Sequence, residues 1–255
     1  MAFQRLRMLV GAAALERLRG ARVGVFGLGA VGSFAVEALA RCGVGSLRVV
    51  DFDSVKESNL NRQLYALRSS VGEDKVALAA ARIADINPAC LVDARRTFFC
   101  AGEAGTLLHG LDWVIDAIDS LNPKVQLSCE AHGRGIAMVA VMGAARRFDP
   151  NPVLVTDISE VRGCPLSAVF RKRLHRHGIY TGITAVWSQG PVFCPPPDAV
   201  VPEGEVEAGD TLERGRRRDP LPSIIFGPAA MGLAAAQKVV TEIISLSPGT
   251  APPPA

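Results

Sequence analysis

The 255-residue chain contains no Cys-x-x-Cys pair. Its six cysteines (Cys42, Cys90, Cys100, Cys129, Cys164 and Cys194) are scattered, without the spacing of a structural zinc site. Scattered thiols fit a reduced, cytoplasmic protein. His175 and His177 have no third ligand nearby in sequence, which argues against a metal there. The stretch Met1 to Arg7 is polar and no apolar core with a cleavage site follows it, so a secretory leader is not expected. No uninterrupted apolar run reaches bilayer length; 224–236 comes nearest and Gly227 and Pro228 break it, so no membrane partner is expected. There is no internal repeat. Net charge is only +3, so bulk charge excludes little. The basic residues are instead bunched at Arg171-Lys172-Arg173, His175-Arg176-His177 and Arg214 to Arg218. What remains is a chain with 49% hydrophobic residues, long enough to bury one full core.

The informative residues are concentrated between Arg22 and Arg62. Val23, Val25 and Phe26 suit a buried strand. Gly27, Gly29 and Gly32 follow with Gly-x-Gly-x-x-Gly spacing. The first two let the backbone turn tightly and approach a phosphate; the third lets the next helix pack closely on the strand. Val31, Ala35, Ala38, Leu39 and Cys42 fall on one face of that helix. Asp51 ends the following strand, where a carboxylate accepts hydrogen bonds from ribose hydroxyls. Taken alone, this is a Rossmann-type site, and a nicotinamide oxidoreductase is the first expectation. Blander roles stand beside it: Asp51 and Asp53 as strand-end caps, Asp119 as N-cap of the helix at Pro123, Lys75 as a solvated lysine.

The residues after Asp51 shift the expectation. Ser58-Asn59-Leu60-Asn61-Arg62-Gln63 sets amides and a guanidinium just past the carboxylate, and Lys75 follows in Val71-Gly72-Glu73-Asp74-Lys75. Two cations suit a triphosphate, whose charge is concentrated and moves during reaction.

Along the chain, a helix is expected over 3–19, with Leu6, Leu9, Val10 and Leu15 as its apolar positions, then the strand, turn and helix above. A helix over 72–86 stops at Asn87-Pro88. Strands at 91–97, 113–117 and 136–142 alternate with helices at 104–109 and 123–133. This predicts an α/β fold: a Rossmann-like, mostly parallel sheet with helices on both faces, its ligand at the carboxyl ends of the strands near Gly29, Asp51 and Asp119. Beyond Gly143 the pattern changes to strands at 153–158 and 182–188, the first in an antiparallel extension, a basic helix at 164–177 and an apolar helix at 229–246. Residues 1–145 form the nucleotide-binding region and 146–246 an extension of the same domain. The Pro-rich stretch 194–222 reads as an exposed, mobile loop, and 247–255 as a disordered tail.

Gly-Leu-Gly-Ala-Val-Gly-Ser, Asp-Phe-Asp-Ser-Val, Ser-Asn-Leu-Asn-Arg-Gln, Val-Gly-Glu-Asp-Lys and Asp116-Ala117-Ile118-Asp119-Ser120 occur in that order. Together they resemble the ThiF/MoeB superfamily, the bacterial relatives of ubiquitin-activating enzymes, over residues 3 to 145. Within it the chain is most similar to the tRNA threonylcarbamoyladenosine dehydratases. That narrower likeness rests on Phe3-x-Arg5 ahead of Gly11, Asn59-x-Asn61-Arg62-Gln63, Pro165-Leu166 before a basic helix, and the segment from Ser223 to Leu233.

The resemblance implies an ATP-dependent enzyme that caps a carboxylate with AMP. By it, Gly27, Gly29, Ala30, Gly32, Asp51, Asp53, Ser58, Asn59, Asn61 and Ser120 bind the nucleotide, Asp51 at the ribose and Asn59 with Arg62 and Lys75 at the triphosphate, and Arg62, Lys75, Asp119 and Arg5 are the catalytic set. Asp119 holds Mg²⁺, and Arg5 reaches the partner subunit's site in a homodimer. The implied substrate is tRNA, for which the basic helix is a candidate contact beside its role as a solvated face, and the resemblance also implies a cysteine desulfurase system, linked to some members, as a further partner. Sulfur-carrier activators of the superfamily often use a second-half Cys and a paired-Cys zinc site. Here the pair is missing, Ala185 stands where some dehydratases have Cys, and Cys164 is the remaining loop thiol, with a core or loop Cys as its bland role. Ala30 replaces a usual Gly, and Met8 stands where close relatives often have Arg. The alternatives are a MoeB/ThiF-type adenylyltransferase acting on a sulfur-carrier protein, a nicotinamide oxidoreductase, and a non-catalytic nucleotide-binding scaffold.

Overall fold

Val23, Val25 and Phe26 are fully buried in β1 (Arg22–Phe26), an interior strand of the sheet. The computed structural model describes residues 3–149, 152–194, 196 and 221–245. Among these residues, seven strands form one sheet, in the order β3-β2-β1-β4-β5-β7-β6. The others are β2 (Ser46–Val50), β3 (Leu91–Arg95), β4 (Trp113–Asp116), β5 (Ala137–Val141), β6 (Val153–Asp157) and β7 (Thr184–Ser188). All pairings are parallel except β6 with β7. The α/β expectation and the late antiparallel strand are both present. The order reverses between β1 and β4, where an open sheet leaves a crevice at its carboxyl edge.

The helices are α1 (Gln4–Val10), α2 (Ala12–Gly20), α3 (Gly32–Arg41), α4 (Lys75–Ile86), α5 (Ala104–Leu107), α6 (Leu121–Gly133), α7 (Pro165–His175) and α8 (Phe226–Ser245). Two cores sandwich the sheet. Leu39, Ile83, Met231 and Val239 from α3, α4 and α8 pack on one face. Leu107, Leu127, Phe170 and Leu174 from α5, α6 and α7 pack on the other. Arg17 of α2 donates to the carbonyls of Ile243 and Ile244, which satisfies the end of α8.

Three expectations are corrected. The single helix over 3–19 is two helices, because Gly11 sits at φ 84° and breaks the ladder. Of its expected apolar positions, Leu15 is buried and Leu9 is exposed. The helix expected over 72–86 begins only at Lys75, since 72–75 pairs with 53–55: Gly72 N donates to Val55 O, Val55 N to Glu73 O and Lys75 N to Asp53 O. The last helix starts at Phe226, three residues ahead of Ala229.

Arg146 takes a left-handed φ of 60° and its amide donates to Pro222 O, while Phe193 N donates to Arg146 O. It ties together the two flanks of the stretch 194–222. Most of that stretch, the Arg214 to Arg218 run and the tail 247–255 lie outside the described residues.

Candidate functional site

The glycine turn leaves the end of β1 and is fixed from three sides. Gly27 has φ 89°, and a Cβ there would stand 2.8 Å from Ala117 O. A Cβ on Gly32 would stand 1.7 Å from Gly27 O, so only glycine lets α3 start so close to the turn. Gly29 differs: a Cβ would meet nothing nearer than Gln63 Nε2 at 3.8 Å. That open backbone is free for a phosphate. Ala30 follows with its N–H retained, and its methyl leaves the turn intact.

Asp51 is buried at the end of β2 and braces this turn. Its Oδ2 accepts from Leu28 N at 2.6 Å, and its Oδ1 accepts from Asp53 N at 2.8 Å. The cap role weighed for Asp51 is therefore present, and each oxygen retains a lone pair for a ribose hydroxyl. Burial pushes the Asp51 carboxyl above its ordinary value, opposed by the Lys75 charge and the two amides. Asp51→Asn removes one of the two acceptors, costing about 1–3 kcal/mol, but also removes a desolvated charge. The expected result is nearly unchanged thermal stability with nucleotide affinity sharply reduced, measured by melting and ATP titration. The sign in pH follows: the raised carboxyl favours folding when protonated, so wild type loses stability as pH rises through the raised value, and the variant loses that slope.

Lys75 is 4% exposed. The short ladder with 53–55 delivers it to Asp53, whose Oδ2 lies 3.0 Å from Lys75 Nζ. The solvated-lysine role is excluded, because a buried ammonium needs a partner or a bound anion.

The Ser58 to Gln63 segment is tied to the start of α3 through Ser33, which is fully buried. Ser33 Oγ donates to Gly29 O at 2.7 Å and accepts from Leu64 N at 3.3 Å, and Tyr65 Oη donates to Ser33 O at 3.4 Å. Asn59 is buried and accepts from Lys56 N at 3.3 Å. Arg62 donates to Ser58 O at 2.6 Å and to Asn61 Oδ1 at 2.9 Å. Asn61 Nδ2 donates to Ser223 O at 3.0 Å, joining the segment to the approach of α8.

Asp119 is exposed past the end of β4, and Ser120 Oγ donates to its Oδ1 at 3.3 Å. The N-cap position of α6 belongs to Ser120, not Asp119, because the helix begins at Leu121. The described residues contain no cluster of three or more His, Cys, Asp or Glu able to hold a metal by itself. One exposed carboxylate completed by substrate phosphates is a donor set that suits Mg²⁺. Arg5 stands exposed on α1 and makes none of the bonds that join the other site residues.

Cys164 is buried at the N-terminus of α7, and Ala185 is fully buried in β7. Neither position offers a surface nucleophile. In the basic helix, Arg171 donates to Val161 O and Arg173 to Asn122 Oδ1, so these two cations are engaged within the fold. Sequence reasoning missed Ser33, Tyr65 and a fully buried pair, Asp116 and Lys124. A lysine in the helix following a strand-end Asp was the available signal.

The chain matches the model of the ThiF family over residues 3–252. It is 38% identical over 244 residues to the tRNA threonylcarbamoyladenosine dehydratase of Bacillus subtilis, covering 95% of this chain and 94% of that protein. It is 40% identical over 167 residues to the Escherichia coli protein of the same name, covering 65% of this chain and 62% of that one. The crystal structure of E. coli tRNA N6-threonylcarbamoyladenosine dehydratase, TcdA, in complex with ATP superimposes with a TM-score of 0.83 at 30% identity, covering 95% of this chain and 93% of that one.

Proposed function

The chain belongs to the ThiF family, and from that premise we propose that it is an ATP-dependent enzyme that dehydrates threonylcarbamoyladenosine beside the anticodon of tRNA. The observation that carries this reading is the gathering of Asp51, Asp53 and Lys75 beside an open glycine turn, in a chain similar from end to end to dehydratases.

The reaction joins two anions, since a carboxylate oxygen must attack the α-phosphate. Gly29 and Ala30 present open backbone to the phosphates, and Asp51 takes the ribose hydroxyls. Lys75, Arg62 and Asn59, with Ser58, Asn61 and Ser120 around them, hold the triphosphate and neutralise charge as pyrophosphate departs. Asp119 would hold Mg²⁺, which supplies further neutralisation at the phosphate oxygens. The carbamoyl nitrogen then attacks the activated carbonyl of its own chain, the ring closes and AMP leaves. This internal attack gains from proximity and needs no protein nucleophile, which agrees with the burial of Cys164.

A homodimer completes the reading. Helix α1 buries none of its residues and exposes Met8 and Leu9, a surface suited to a second subunit that would receive Arg5. Lys172 and Arg176 of the basic segment are exposed and suit the tRNA backbone. Among the described residues no helix is long and apolar enough to cross a membrane, and the cysteines are free thiols, which supports a cytoplasmic setting. A sulfur-transfer partner is supported by the family likeness alone; Cys194 is the exposed thiol among the described cysteines.

The test is incubation of the purified protein with ATP, Mg²⁺ and tRNA carrying the open modification, followed by nucleoside mass spectrometry. Loss of one water with release of AMP and pyrophosphate is expected. No mass change, with adenylation instead of a carrier protein ending in Gly-Gly, would move the assignment to the sulfur-carrier activators.

A further inference from the structure

Asp116 ends β4, Lys124 lies in the first turns of α6, and both are 0% exposed. Lys124 Nζ stands 2.9 Å from Asp116 Oδ2, an ion contact without hydrogen-bond geometry, and donates to Asp116 O at 3.3 Å. Asp116 Oδ1 accepts from Ile118 N at 3.0 Å. Ala117 N donates to Phe26 O at 2.8 Å. The backbone of 116–118 is thus held at three points, two of them through this pair. The turn it forms presses on the glycine turn: a Cβ on Gly27 would stand 2.8 Å from Ala117 O, and one on Gly32 would stand 3.3 Å from Ala117 Cβ. Behind the ammonium lies the Phe170 ring of α7, its centroid 6.0 Å away.

Burying two charges is costly, and an apolar pair of similar volume would serve stability as well or better. What an apolar pair would not supply is the fixed path of 116–118. We propose that Lys124 is a positioning residue for the nucleotide reaction: through Asp116 it locks the turn 117–119 against the glycine turn and fixes where Asp119 stands. The inference rests on the proposed function for its turnover readout, and on geometry alone for its backbone readout.

The experiment uses the full chain with Lys124→Met and with the double variant Asp116→Leu/Lys124→Met, which removes both charges and the side-chain acceptor of Ile118 N together. The single variant strands Asp116 without its cation and melts at lower temperature. The double variant melts with the wild type and keeps its KM for ATP, yet the amides of Ala117 and Ile118 exchange about tenfold faster or more. Its kcat falls about tenfold or more, because the turn is no longer held in one place. Wild-type turnover and unchanged amide exchange in the double variant would overturn the inference. So would failure of the double variant to fold, since the pair would then carry the fold rather than place a turn. If wild type shows no turnover on modified tRNA while the amides respond as described, the functional reading fails and the positioning role stands.

Discussion

Lys75→Met should lower kcat/KM for ATP by about 10²- to 10³-fold, the usual loss when one charge-stabilising contact leaves a transition state. The fold should survive the change. Lys75 is buried by the ladder between 72–75 and 53–55, and Met keeps the length of its apolar stem. Its partner Asp53 has a side chain 39% exposed and stays hydrated, and buried Asp51, which loses the Lys75 charge, takes up a proton more readily rather than standing ionised and unpaired. Loss of activity with an unchanged melting temperature therefore separates a phosphate-binding lysine from a structural one. Arg62→Ala should behave alike: the bonds it makes to Ser58 O and Asn61 Oδ1 stay within its own surface segment. Steady-state turnover and thermal melts of both variants provide the check, and full turnover in both would remove the triphosphate assignment.

The second large effect is Gly32→Ala. The added Cβ would fall 1.7 Å from Gly27 O and 2.8 Å from Gly27 C, which are backbone atoms that cannot rotate away. Either α3 moves off the sheet or the glycine turn opens. The expected cost is about 1–3 kcal/mol or more of stability, together with loss of measurable ATP binding. Gly29→Ala is the matched control. Its Cβ would meet only Gln63 Nε2 at 3.8 Å, so the fold should be unaffected while nucleotide affinity falls. Melting and ATP titration of the two variants should therefore separate, with stability lost in one and affinity lost in both. Equal melting temperatures would show that the close approach of turn and helix is less rigid than these distances imply.

Most of the sheet was legible because parallel strands buried on both faces read as short apolar runs, as in Val23 to Phe26 and Ala137 to Val141. The glycine turn was legible because its spacing has a steric cause at Gly27 and Gly32 and leaves open backbone at Gly29. Local signals failed where a long-range pairing decided the structure. Gly72 to Asp74 look like the start of a helix, but they pair with Asp53 to Val55, and that pairing is what brings Lys75 to Asp53. Gly11 lies inside one continuous helical pattern of apolar residues, yet its positive φ divides the helix in two. Ser33 and Tyr65 carried no signal of their own; their work is to bind one segment to another, which no periodicity records. Pro123 marks the start of α6 two residues late, so the sequence offers Asp119 as its cap where Ser120 takes that position.

The account depends on a carboxylate oxygen being transferred to the α-phosphorus. Heavy oxygen placed in the threonylcarbamoyl carboxylate of the tRNA follows that atom directly. One labelled oxygen recovered in AMP, at the rate of ring closure, is the predicted result. Unlabelled AMP, or ADP and phosphate in its place, would contradict it.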